Sequence, residues 1–255
     1  MQLTRLLWLS LFISGLVAAQ PQTQDFSTWP IIGEVKLLDA DQQQFVSVWL
    51  EEQTPQKRGT ALLLPDWGSS PSDARGIDAL RQALPDIGWE TGAILPPQPS
   101  KNIMQSGGDL EQLANYKLQL KAVLETAKQT QQEQFGFQVI IAQGVMGAWL
   151  VELLAEQQIP APDGIVLISA YYPDKNLNIH LATQTALLAI PVLDIYADDY
   201  NQWQASASKQ RLIATNKNQK FNYRQTLLPA TADTAPNSAT LNKTVYGWFS
   251  SLGWY

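Results

Sequence analysis

The chain has 255 residues, 45% of them hydrophobic and 16% charged, with a net charge of −6 and 15 each of glycine and proline. That is enough apolar chain for one large domain with its own core, and it excludes a disordered, collagen-like or coiled-coil protein. The absence of cysteine excludes disulfides, thiolate metal sites and a cysteine nucleophile, and the single histidine, His180, leaves no histidine-rich metal centre. The acidic balance gives no support to nucleic-acid binding, and no motif calls for a cofactor.

The N-terminus carries Arg5, then an apolar run from Leu6 to Val17, then the small residues Ala18 and Ala19. A positive tip, a short apolar segment and small residues at Val17 and Ala19 describe a secretory signal peptide spanning residues 1–19. The run falls short of the ~20 apolar residues needed to span a bilayer, which disfavours an uncleaved anchor. The expected mature chain is one domain, residues 20–255, periplasmic or secreted, with no stable membrane insertion after cleavage.

Past a polar leader, Ile31–Leu38 and Phe45–Glu51 read as strands joined by the turn-rich Asp39-Ala40-Asp41, a hairpin pattern. Gly59–Leu64 is almost continuously apolar, as in a strand buried on both faces. Pro65, Gly68 and Pro71 then break the chain before a helix capped by Asp73 and carrying Ile77, Leu80, Ala83 and Leu84 on one face. Trp89–Leu95 reads as a strand. After the linker Gln98–Gly108, Asp109 caps the longest helix, whose stripe runs from Leu110 to Ala127.

Phe137–Ala142 is a buried strand followed by a glycine turn and the helix Met146–Ala155. Asp163–Ser169 and Pro191–Tyr196 are further strands, with a helix over His180–Ala189 between them. A helix over Trp203–Thr215, the outer strand Phe221–Leu228 and the helix Thr240–Leu252 complete the chain. Strands alternating with helices predict an α/β fold: a mostly parallel sheet of roughly eight strands, helices on both faces, and the leading pair antiparallel at one edge.

Four segments carry a resemblance. GTALLLPDWGSS (Gly59–Ser70), IGWETGAILPP (Ile87–Pro97), VIIAQGVMGAWLVELL (Val139–Leu154) and IPVLDIYADDYN (Ile190–Asn201) stand in the order and spacing of the α/β-hydrolase fold. The chain as a whole resembles a family of exported bacterial proteins of unknown function within that superfamily. The resemblance implies an oxyanion-hole loop after Leu64, a nucleophile elbow at Ala142–Gly147, and a triad acid after the strand ending at Tyr196.

Hydrolysis on that fold needs a nucleophile at the apex of a G-x-S-x-G turn. Here Gly144 occupies the apex, and its neighbours Gln143 and Val145 offer no nucleophile. The triad histidine is missing as well, because Leu228–Thr234 holds none and His180 precedes the acid region, where it reads as a surface or helix-start residue. Asp198, Asp199 and Asp233 stand at the degenerate acid positions; with Asp66 they are expected at the carboxyl ends of strands, as loop carboxylates or as an acidic crevice.

A helix N-terminus keeps its amides when the nucleophile is lost. The expected remnant pocket is formed by Asp66, Trp67, Gly68, Ser69, Gly144, Val145 and Met146, with Asp66 opposing an anion there. Ser69 and Ser70 read as turn formers, lacking a base to activate them. Trp67, Trp89, Trp149, Trp203, Trp248 and Trp254 read as core or as a binding surface, the latter raising carbohydrate binding.

Two functions follow. One is an inactive hydrolase-fold protein that binds a small molecule or an envelope protein. The other is an exported esterase-like hydrolase built on Ser69 or Ser70 with Asp198 or Asp199.

Overall fold

The computed structural model describes residues 31–41, 43–70, 77–95, 110–130, 135–197, 202–228 and 238–255. The expected leader, the caps Asp73 and Asp109, and Asp198, Asp199 and Asp233 lie outside those residues. No described helix is long and apolar enough to cross a membrane.

Eight strands form one sheet: β1 (Glu34–Ala40), β2 (Gln43–Leu50), β3 (Gly59–Leu64), β4 (Trp89–Ile94), β5 (Phe137–Gln143), β6 (Gly164–Ile168), β7 (Val192–Ala197) and β8 (Tyr223–Leu228). Their spatial order is β1-β2-β4-β3-β5-β6-β7-β8. β1 and β2 are antiparallel, as a tight connection demands, and β2 is antiparallel to β4 as well. From β4 to β8 every pairing is parallel. The helices are α1 (Ile77–Ala83), α2 (Leu110–Thr130), α3 (Gly144–Ala155), α4 (Lys175–Leu187), α5 (Gln202–Lys217) and α6 (Ser238–Ser251).

The central strands bury both faces, and their residues divide by parity between two cores. Leu62, Leu64, Ile140, Ala142, Ile165 and Leu167 face the layer of α2, α3 and α4. Ala61, Leu63, Val139, Ile141, Val166 and Ile168 face the opposite layer, packed by α1 and α6. Helices therefore cover both faces, as the alternation of elements predicts.

The tryptophans are mostly core. Trp89 stacks against Phe249 at 4.4 Å, and Trp248 and Trp254 meet at 5.6 Å. Trp49 lies across Gly92, its registered partner in β4, where an added Cβ would come within 2.7 Å of the indole. That contact explains a glycine inside a buried strand.

Several boundaries differ from the sequence reading. α4 begins at Lys175, five residues before His180, because Asp174 caps it by accepting the Leu177 amide at 2.9 Å. α3 begins at Gly144 itself, so the glycine turn and the helix start are one feature. The helix after Gly68 is short, and Leu84–Ile87 continues it as one 3-10 turn with Pro85 in its first positions.

A charged cluster sits inside the β7–β8 edge. Asp194 is fully buried on β7, and Arg211 of α5 grips both its oxygens at 2.8 Å while donating to the Ala170 carbonyl at 2.6 Å. The Tyr223 hydroxyl donates to Asp194 Oδ2 at 2.6 Å and the Gln225 amide donates to it at 2.9 Å. Burial opposes the charge on Arg211, and the Asp194 carboxylate restores it; burial and the same carboxylate push the Tyr223 hydroxyl far up. The cluster thus holds one cation against one anion with the tyrosine neutral. Arg211→Met strands the Asp194 charge and is expected to cost about 3–5 kcal/mol, read by urea unfolding; a loss below about 1 kcal/mol would contradict that account.

Candidate functional site

β3 and β5 are parallel neighbours, and Leu64 pairs with Ala142. Two residues beyond that pair stand Asp66 on one strand and Gly144 on the other, so register alone brings them to the same height above the sheet. Gly144 turns the chain from β5 into α3 with φ of +56°, the left-handed conformation that suits a residue without Cβ. The backbone has the sharp strand-to-helix bend expected of an elbow.

The space beside that bend is filled. A Cβ built on Gly144 would overlap the Asp66 carboxyl group. Asp66 Oδ1 accepts the Val145 amide at 2.9 Å and the Trp67 amide at 2.7 Å. The first of these is the free N–H at the start of α3, and the second comes from the loop after β3. Together they form the cradle that an oxyanion would use, and a carboxylate of the protein itself occupies it.

Two opposing effects set the ionisation of Asp66. Burial raises its pKa, the two amide bonds lower it, and burial prevails: the carboxyl is pushed up from 3.8 to about 6. At neutral pH the cradle therefore holds a negative charge.

The other expected pocket residues divide. Trp67 packs on Trp149 at 4.8 Å and on Tyr116 at 5.9 Å, joining the loop to α3 and α2. Its indole nitrogen is buried without a partner among the described residues. Gly68 is exposed in open space at φ of +80°, and the Ser69 amide closes the turn onto the Asp66 carbonyl at 2.9 Å. Turn formation, the role read for Ser69, is what the geometry shows. Val145 and Met146 bury their side chains in the core, so they reach the site through backbone only. His180 lies exposed on α4.

Among the described residues no group of three or more potential ligands converges on a metal position. The sequence reading missed the Asp194–Arg211 cluster, although an aspartate inside the apolar run Val192–Ala197 is itself a signal that a buried partner exists. It also missed the clamp after β6, where the Asn178 side chain accepts the Tyr172 amide at 2.8 Å and donates to its carbonyl at 2.7 Å.

The family model described as "Protein of unknown function (DUF3530)" matches residues 28–110 and 105–251. The chain belongs to that family. Among curated proteins none matches. Solved structures similar to it include an α/β serine hydrolase without lid from Xanthomonas campestris, with a TM-score of 0.63 and 11% identity over 88% of this chain and 97% of the other. The esterase domain of a Rhodothermus marinus protein gives 0.61 at 10% identity, covering 85% and 97%. A predicted CIB-like hydrolase from Thermoplasma acidophilum gives 0.60 at 13%, covering 85% and 98%. The DUF3530 chain thus has the α/β-hydrolase fold.

Two measurements test the geometry at Gly144. An acid whose folded pKa is raised binds protons more tightly folded than unfolded, so stability falls as pH rises through the interval between the two values. Relative to Asp66→Asn, the melting temperature of the native chain should fall between about pH 4 and pH 6 and run parallel above it; parallel curves throughout would remove the assigned burial. Gly144→Ala should cost about 1–3 kcal/mol from its backbone conformation and the displaced carboxyl. Adding Asp66→Ala should return about 1 kcal/mol of that loss, whereas strict additivity of the two changes would show that they do not meet.

Proposed function

We propose that this DUF3530 protein is a catalytically inactive member of the hydrolase fold, exported to the periplasm or beyond, and acting there by binding or assembly. The observation that carries the reading is the Asp66 carboxylate seated on Gly144 and bonded to the amides of Val145 and Trp67. Acyl transfer on this fold needs an attacking atom at the elbow and an empty cradle for the developing oxyanion. Gly144 supplies no such atom. The cradle already holds an anion, which would repel a second one.

The esterase reading gains nothing from the arrangement. The Ser69 backbone amide closes the turn onto the Asp66 carbonyl, and the one histidine of the chain, His180, stands exposed on α4. The esterase and hydrolase names of the structural neighbours describe those proteins, and at 10–13% identity the likeness is one of fold. Export is supported by the pattern of Arg5, the apolar run and Ala18-Ala19.

Purified protein should take up no fluorophosphonate probe and hydrolyse no p-nitrophenyl ester above buffer, with Ser69→Ala and Ser70→Ala indistinguishable from the native chain. Labelling abolished by either substitution would overturn inactivity. The same preparation, taken from the envelope or medium of expressing cells, should begin at Gln20; a chain retained in the cytoplasm with Met1 intact would overturn export.

A further inference from the structure

At the opposite end of the sheet from Gly144 lies a cavity of about 340 Å³. Leu62 of β3 and Ile140 of β5 form its floor, with Thr60 and Gln138 beside them toward the amino ends of the strands. From Gln138 to Gly144 the strand rises about 20 Å, so this cavity is separate from the elbow. The last turns of α2 supply one wall through Leu124, Glu125 and Lys128. The connection from α3 to β6 supplies the other through Ile159, Pro160 and Pro162, whose two prolines fix the backbone there.

The sheet face lining this space is slightly less covered than the opposite face. Leu62 and Ile140 are 7% exposed although they sit mid-strand, whereas Leu63 and Ile141, on the other face of the same strands, are fully covered. Ile159 is likewise 7% exposed. A preformed apolar floor reaching the central strands, with a few polar groups at the mouth, is the usual make-up of a small-molecule site, and the volume falls within the usual range of about 300–1,000 Å³.

The mouth selects on charge. Glu125 and Lys128, three residues apart on α2, bring one charge of each sign to the cavity, the Thr60 hydroxyl donates to the Glu90 carboxylate at 3.3 Å and keeps its lone pairs, and Gln138 adds a neutral side-chain amide. An ion placed over the apolar surface of Leu62, Leu124, Ile140 and Ile159 would lose its hydration with no charged side chain on that surface to replace it. We propose that this cavity binds a small uncharged amphiphile, with its hydrocarbon body over Leu62, Leu124, Ile140 and Ile159 and one hydroxyl or amide group at the mouth. The site goes beyond the binding role proposed above and does not depend on the elbow, since the fluorophosphonate result reads the other end of the sheet.

The full chain, titrated with 1-octanol and with octanamide, should bind each saturably, and nuclear Overhauser contacts should run from the octyl chain to methyl groups of Leu62, Leu124, Ile140 and Ile159. Octanoate and octylammonium should bind at least ten-fold more weakly. Ile159→Trp, which fills the cavity from a loop position, should abolish binding; should that variant misfold, the Overhauser contacts in the unaltered chain still decide. No saturable binding of either neutral probe, contacts to other methyl groups, or an ionic probe binding as tightly as octanol would overturn the assignment.

Discussion

The carboxylate of Asp66 and the missing side chain of Gly144 are one constraint seen from two strands. β3 and β5 pair in parallel with Leu64 against Ala142, so the two residues that follow each strand share one small volume. Either a side chain at position 144 or the carboxyl of Asp66 can occupy it, because a Cβ there would overlap that carboxyl. Once the carboxylate is present, the amides of Val145 and Trp67 have a permanent partner, and the start of α3 is capped from another strand. The turn, the loop after β3 and the helix are fixed together by this one contact.

The balance of energies at that contact is close. The amides favour the carboxylate, and burial disfavours it by enough to lift its pKa to about 6. Asp66 therefore sits where a modest change of surroundings alters its charge. The Asp194 cluster is the contrary case: two oxygens held by Arg211, with Tyr223 and Gln225 adding bonds, leave the charge fully matched inside the β7–β8 edge. Asp194 is fully buried inside β7, whereas Asp66 follows β3 and is only half-buried. One holds elements together through an ion pair, the other through backbone amides alone.

Local pattern made the sheet legible. Gly59–Leu64 is apolar but for Thr60 and forms β3 with those bounds, and the alternation of strands and helices led to the correct layering. Gly144 could be found from its spacing after an apolar strand, because the bend is a local property of the backbone. The occupant of the cradle could not, since Asp66 and Val145 lie 79 residues apart and meet only through strand register. The first turn of α4 was missed for a different reason: its polar opening, Lys175 to Asn178, has no apolar stripe, and only the cap at Asp174 marks it. The cavity beneath α2 has no linear signature at all, since two strands, a helix end and a loop each contribute a part.

The loops at the carboxyl end of the sheet repeat the pattern set by Asp66. Several polar groups there are spent on the protein itself: Asn178 clamps both backbone groups of Tyr172, Arg211 takes the Ala170 carbonyl, and the Ser69 amide closes its own turn, while the Trp67 indole nitrogen is buried without a partner among the described residues. Functional sites ordinarily keep strained residues and unsatisfied donors, at a cost borne by the rest of the fold. Here Gly68 and Gly144 adopt left-handed backbone at little cost, Ser169 after β6 does so at a greater one, and the amide cradle at Gly144 is satisfied. A filled amide cradle at the usual ligand edge directs attention to the other end of the sheet, where Leu62 and Ile140 line a cavity.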